Sequence, residues 1–132
     1  MKVGDAFIFN LALSSDDHIH FVAFAEGTPP SKLVLLNFTS HYPGKCDETC
    51  LIKPHEYKQL SHNSVIGYRW ARVVEGAAIQ ELIKSGIGKK LDPIPSNVMR
   101  KIIAGVSSSK FTPNKIKDLF KDPTRALSGV MG

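Results

Sequence analysis

The sequence predicts an α+β protein in which a small antiparallel β-barrel is followed by about three short C-terminal helices. Three observations support this class. Residues 1–75 contain short apolar runs separated by Gly and Pro, as in small β-barrels. Residues 76–132 contain apolar residues repeated at a helical period. The length of the chain, 132 residues, is typical of one domain. We assign residues 1–75 to the barrel and residues 76–132 to a basic helical extension that packs on it in a single compact domain.

Strand-forming residues predict five strands, at residues 6–11, 19–25, 32–40, 49–52 and 64–74. The last run is expected to be one long strand, and Gly67 is the point where it could break. Because side chains alternate along a strand, Arg69 and Ala71 would share one face, opposite Tyr68 and Trp70.

The helical pattern begins after Glu75. The first helix is predicted over residues 77–85, with Gly86 as its C-terminal stop. Ser96 is expected to cap the second helix. Thr112 is expected to cap the third helix with Pro113 in its first turn, and residues 122–123 (Asp-Pro) should end it.

The charge of the chain is uneven. Residues 1–75 carry 7 Lys and Arg against 8 Asp and Glu, whereas residues 76–132 carry 10 against 4. A basic segment suits contact with phosphates or with an acidic protein, although a solvated helix surface has the same composition. The apolar run at residues 33–38 is far too short to span a bilayer and residues 1–5 do not open a secretory signal, so we expect a cytoplasmic protein without membrane contact.

All five histidines and both cysteines lie between His18 and His62. Histidine can transfer protons near neutral pH or bind a metal, so the cluster suggests a site of either kind. Zinc accepts the residue types of the C-x3-C-x4-H-x6-H pattern, but this spacing departs from that of common structural sites. We therefore expect no cofactor and keep zinc as a secondary hypothesis, with the candidate ligands Cys46, Cys50, His55 and His62.

Acid–base chemistry without a metal fits the cluster better. Cleavage of RNA by its own 2′-hydroxyl needs a base, an acid and groups that stabilise the charged phosphate. The candidates for proton transfer are His18, His20 and His62. Those for phosphate or ribose contacts are Thr39, Ser40, Ser64, Arg69, Arg72, Lys89 and Lys90. For Arg69, the alternative is a surface residue on an exposed face of the sheet.

Four segments, in order, resemble the MazF/PemK-type toxin family. Residues 3–9 (VGDAFIF) are similar to the Gly-Asp opening and first strand of the family. Residues 20–25 stand where the family has its Arg-Pro-x-x-Val strand. Residues 34–40 (VLLNFTS) resemble its apolar strand ending in Thr-Ser, and residues 64–74 resemble its late strand.

The resemblance implies an SH3-like β-barrel and a metal-independent, sequence-specific endoribonuclease of a toxin–antitoxin system. It implies RNA and a cognate antitoxin or other protein as partners, and we add a homodimer as an expectation. Thr39 matches the catalytic-site Thr of the family, whereas its second-strand Arg is replaced by His20 or the nearby His18. Residues 41–62 have no counterpart in the family.

The leading hypothesis is a toxin-like endoribonuclease. His20 or His18 would be the base, His62 the acid, Thr39 and Ser40 the phosphate or ribose contacts, and Arg69 a stabiliser of charge. A second hypothesis is a non-catalytic PemK-like module that binds a protein or nucleic acid. A third hypothesis is a zinc-stabilised binding domain.

Overall fold

The computed structural model describes residues 1–9, 18–27 and 32–121, and these form an antiparallel sheet with three α-helices. The strands are β1 (Ala6–Phe9), β2 (Ile19–Glu26), β3 (Lys32–Ser40), β4 (Leu51–Ile52), β5 (Ser64–Ile66), β6 (Arg72–Glu75) and β7 (Gly88–Leu91). The helices are α1 (Gly76–Lys84), α2 (Ser96–Ser108) and α3 (Asn114–Leu119). Two stretches that the sequence analysis used, residues 10–11 at the end of the first predicted strand and residues 122–123 at the end of the third predicted helix, lie outside the described residues.

The sheet is organised around β3, which pairs with three other strands. The strand order is β4-β5-β3-β2-β1-β7, and β6 also pairs with β3. The first half of β3 pairs with β6, from Lys32 opposite Glu75 to Leu35 opposite Arg72. Its second half pairs with β5, which places Ser40 opposite Ser64. One long strand therefore holds together two short ones that follow each other in the chain.

The described strands form an open sheet, so the expected SH3-like barrel is not confirmed. β4 and β7 end the strand order, and no pairing within the described ranges joins one to the other. The extension after residue 75 also contains more than helices, because β7 follows α1 and pairs with β1. Its sequence, Gly-Lys-Lys-Leu, has no strand-like apolar alternation, which is why it was not predicted.

Residues 64–74 do not form one long strand, and the break falls at Gly67, the position where the sequence indicated that it could occur. The chain leaves β5 after Ile66, makes a 3-10 turn over Tyr68–Trp70 and enters β6 at Arg72. A Cβ at Gly67 would lie 3.1 Å from Oδ1 of Asn37, so this close approach of the two segments suits glycine. Arg69 and Trp70 therefore lie on a turn and not in a strand, and the predicted alternation of their side chains between two faces does not apply.

Two apolar clusters cover the two faces of the sheet. The larger cluster joins the sheet to α2 and α3 and includes Phe21, Leu36, Ile66, Ile102 and Ile116. The smaller cluster joins the other face to α1 and includes Phe7, Val22, Leu33, Leu35 and Ile79. Neighbours along a strand divide between the clusters because the side-chain period of a strand is two.

The predicted helix caps differ from the observed ones by one residue. Ser96 is the first residue of α2, and Pro95 occupies the capping position without a side-chain hydrogen bond. Likewise Pro113 precedes α3, so Thr112 does not cap it. Within the described ranges, none of the helices is long and apolar enough to cross a membrane.

Tyr68 connects the 3-10 turn to α2. It is fully buried, and its hydroxyl donates a hydrogen bond of 2.6 Å to the carbonyl oxygen of Ile102. Burial raises the pKa of the phenol, so the hydroxyl remains a donor. The ring fits against Gly105, where a Cβ would lie 2.0 Å from the Tyr68 hydroxyl oxygen.

We predict that Gly105→Ala destabilises the protein by about 1–3 kcal/mol, because the added methyl group overpacks the site of Tyr68. At an unhindered helix position the same change would stabilise by about 0.5–1 kcal/mol. Urea unfolding measures the effect, with Ser107→Ala on the exposed face of α2 as the control. Equal or higher stability of Gly105→Ala would contradict the close packing.

Candidate active site

A pocket of about 490 Å³ opens where β3 ends, and it gathers polar side chains from separate parts of the chain. Five predicted site residues line it: His18, Thr39, Ser40, His62 and Ser64. Apolar side chains from β1 and β2, Ile8 and Ile19, form part of its wall. The sheet therefore brings together candidates that are far apart in the sequence.

Ser40 and Ser64 owe their positions to the pairing of β3 with β5. They face each other in the register of these strands, at the end where burial of β3 decreases. The Ser64 hydroxyl donates a hydrogen bond of 3.1 Å to the carbonyl oxygen of His62. The sheet and this bond together position the backbone of His62 beside Ser40.

Both ring nitrogens of His62 contact serine hydroxyls. Its Nε2 lies 2.8 Å from Oγ of Ser40, and its Nδ1 lies 3.0 Å from Oγ of Ser61. A hydroxyl can donate or accept a hydrogen bond, so these partners suit either neutral tautomer and also the protonated ring. A residue that gains and loses a proton during a reaction needs such an environment.

His18 lies just before β2 and has a different hydrogen-bonding pattern. Its Nδ1 is 3.1 Å from the carbonyl oxygen of Phe38, which can only accept a hydrogen bond. The hydrogen bond therefore requires the proton on Nδ1. In the neutral ring, Nε2 keeps its lone pair and can accept a proton, which is the property of a general base.

The structure distinguishes His20 from His18. His20 is on β2 and does not line the pocket; its ring is 5.1 Å from that of Phe9, which belongs to the cluster beneath α1. Its Nδ1 donates a hydrogen bond of 3.0 Å to the carbonyl oxygen of His18. Burial and then the positive charge of Arg72 lower the pKa of His20 to about 4. At neutral pH this ring is uncharged and a weak base.

The predicted cations lie at different places. Arg69 is on the 3-10 turn, with its guanidinium carbon 4.6 Å from the centre of the Phe111 ring, and it lines a second groove. Arg72 is exposed on β6. Lys89 pairs with Ile8, so its side chain leaves the same face of the sheet as this pocket residue. Lys90 pairs with Phe7 and leaves the opposite face.

The four residues considered for zinc have separate surroundings. Cys46 donates a hydrogen bond of 3.3 Å to the carbonyl oxygen of Tyr42, whereas Cys50 is buried and burial raises the pKa of its thiol. His55 is exposed, and His62 contacts the two serines. In the part of the chain that the structure describes, no group of three or more His, Cys, Asp or Glu side chains is arranged to hold a metal.

Sequence reasoning did not identify Ser61 or Tyr42, which also line the pocket. Ser61 adjoins His62 in the sequence, and this adjacency was its one visible signal. The contact of Ser61 with Nδ1 of His62 depends on the conformation of the loop before β5, which no local sequence pattern specifies. Tyr42 carries no such signal, and its side chain is 62% exposed.

Comparison of the chain with protein-family models, with curated proteins and with solved structures gives no match in any of the three.

We predict that His20 lowers the stability of the protein as the pH falls from 7 to 5. The unfolded chain binds a proton at His20 near pH 6.5, whereas the folded protein resists it until about pH 4. Protonation therefore favours unfolding through this window, and above it His20 contributes no pH dependence. We expect His20 to lower the free energy of unfolding by about 1–2 kcal/mol at pH 5, because the ring is partly solvated and its full burial effect is reduced.

Urea unfolding of wild type and His20→Gln at both pH values measures this contribution. The loss of stability on acidification should be smaller in His20→Gln by that amount. His55→Gln, which changes an exposed histidine, is the control and should behave as wild type. The same pH dependence in His20→Gln and wild type would show that His20 is not kept neutral.

Proposed function

We propose that the chain is a metal-independent endoribonuclease that resembles the MazF/PemK-type toxins and cleaves RNA by attack of a 2′-hydroxyl. The observation that carries the proposal is the presence of His18 and His62 in one pocket with complementary hydrogen bonds. His18 has a lone pair at Nε2, and His62 has partners that tolerate a proton on both nitrogens. This reaction needs one residue of each kind.

The two histidines suggest the order of proton transfers. His18 takes the 2′-hydroxyl proton at Nε2 while the 2′-oxygen forms a bond to phosphorus. The bond from phosphorus to the 5′-oxygen breaks, and His62 gives that oxygen its Nε2 proton. The leaving oxygen takes the position next to Nε2 that Ser40 Oγ occupies in the free protein. The products are a 2′,3′-cyclic phosphate and a 5′-hydroxyl.

Hydroxyl groups and one cation are available to the phosphate. Thr39 and Ser40 line the pocket, and the hydroxyl of Ser40, which is on the face of β3 beside His62, can donate a hydrogen bond to an oxygen that gains negative charge. Lys89 lies on the pocket face of the sheet and is exposed. This lysine, rather than Arg69, is the cation that we assign to stabilisation of the scissile phosphate.

The wider role follows from the resemblance. A toxin of this kind would act in the cytoplasm, would be opposed by a cognate antitoxin and would form a homodimer. The second candidate function is a non-catalytic module for nucleic acid or protein. In such a module the exposed aromatic residues Trp70 and Phe111, which lie outside the pocket, would provide the binding surface.

We predict that the purified protein cleaves single-stranded RNA in excess EDTA and leaves 2′,3′-cyclic phosphate ends. His62→Gln and His18→Gln should each lower kcat by about 10²- to 10⁴-fold, which is the usual contribution of a general acid or base. Gel analysis of a labelled RNA measures the rate, and phosphatase sensitivity identifies the ends.

The control is His55→Gln, which removes an exposed histidine outside the pocket and should retain the wild-type rate. All variants are purified in the same way, so a contaminating nuclease would give equal rates in every preparation. Cleavage by His62→Gln at the wild-type rate would contradict the proposal, as would a strict requirement for a metal ion.

A further inference from the structure

A second groove lies beside the candidate pocket, and Thr39 lines both. It has a volume of about 500 Å³. Its walls come from the 3-10 turn over Tyr68–Trp70, from the loop that follows Tyr42, and from Phe111 between α2 and α3. Because Thr39 lines both, the pocket and the groove adjoin at this residue.

Two exposed aromatic side chains dominate the groove. Trp70 is 64% exposed and Phe111 is 43% exposed, which leaves large apolar surfaces in water. Cationic side chains accompany them: Arg69 lies against the Phe111 ring, and Lys45 is exposed on the opposite wall. Aromatic faces interleaved with cations are typical of surfaces that bind single-stranded nucleic acid.

Hydrogen bonds hold the backbone at both aromatic residues. The Trp70 amide donates to the carbonyl oxygen of Gly67 at 3.0 Å. The Phe111 amide donates to Oγ of Ser109 at 3.1 Å, and the Ser109 hydroxyl donates to Asp47 at 2.6 Å. A preformed surface loses little entropy when a ligand binds.

Asp47 also lines the groove and carries a negative charge there, but the two cations Arg69 and Lys45 outnumber this carboxylate. Burial by itself would raise the pKa of this carboxyl, but hydrogen bonds from Ser109 and Thr49 outweigh burial and lower it. The carboxylate is thus engaged within the protein. Arg69 is near enough to contribute to the lowered pKa, which indicates that the two charges interact.

We propose that this groove binds a base of single-stranded RNA by stacking on Trp70, with Arg69 and Lys45 next to the RNA backbone. The proposal rests on the endoribonuclease function, since the stacked base would belong to the same RNA molecule that is cleaved in the pocket, on the far side of Thr39. Continuity with that pocket and the two cations favour RNA over a protein ligand. Stacking recognises any base, so the groove contributes affinity more than sequence preference.

The chain offers a direct readout, because Trp70 is its one tryptophan. Tryptophan fluorescence therefore reports on this groove alone. The probe is a single-stranded RNA octamer with 2′-O-methyl groups, which cannot be cleaved by 2′-oxygen attack. We expect the octamer to quench the fluorescence of the wild-type protein, and the same octamer in a duplex to leave it unchanged.

Affinity and kinetics test the role of Trp70 independently. Fluorescence anisotropy of a labelled octamer should show affinity about 10- to 100-fold weaker for Trp70→Leu than for wild type. For a cleavable RNA, the same variant should raise KM by a similar factor and leave kcat within about twofold. The matched control is Val73→Ala, which removes exposed apolar surface outside the groove and should change neither.

The outcomes separate this proposal from the proposed function. Quenching together with weaker binding by Trp70→Leu, in a protein that does not cleave RNA, would support the groove and contradict the endoribonuclease. Cleavage without quenching, and with KM unchanged in Trp70→Leu, would overturn the groove and leave the endoribonuclease intact. Fluorescence that changes with protein concentration alone, along with a dimer mass, would assign the groove to a second copy of the chain and overturn the proposal.

Discussion

The burial of β3 on both faces is the constraint on which the fold and the candidate site depend. Six consecutive residues, from Leu33 to Phe38, are buried, and they supply apolar side chains to both clusters. Because both faces are buried, a shift of one residue would exchange the side chains of β3 between the two clusters, and each cluster would have to repack around side chains of the wrong size. The register is therefore strongly determined, and so is the position of Thr39 and Ser40 at the end of the buried run.

The elements with a clear local pattern could be predicted, and those that depend on distant contacts could not. The apolar run of β3 and the helical stripe of α2 are visible in sequence. The strand β7 is defined by its pairing with β1, and nothing in Gly-Lys-Lys-Leu indicates that partner. The 3-10 turn follows the close approach of Gly67 to Asn37, a residue distant in sequence, so the sequence indicated a break at Gly67 but not the turn that comes after it.

The candidate site was predictable in its residue types but not in its geometry. Residue chemistry identified His18, His20 and His62 as groups that can transfer protons. It could not choose between His18 and His20, which are two residues apart. The choice depends on the carbonyl oxygen of Phe38 beside His18, and on the Phe9 ring and Arg72 charge beside His20. These partners come from other strands and are invisible to local patterns.

The division of charge between pocket and groove is the last element of the proposed mechanism. Among its lining residues, the pocket has histidines and hydroxyls but neither lysine nor arginine, whereas the groove contains both Arg69 and Lys45. A permanent cation beside His62 would oppose protonation of the ring, so a smaller fraction of the protein would hold the acid form. In the proposed reaction, Arg69 and Lys45 beyond Thr39 would attract the RNA backbone, while Lys89, which does not line the pocket, would reach the scissile phosphate from the sheet face. Attraction of the polyanion would then be largely separate from the proton transfers that we assign to His18 and His62.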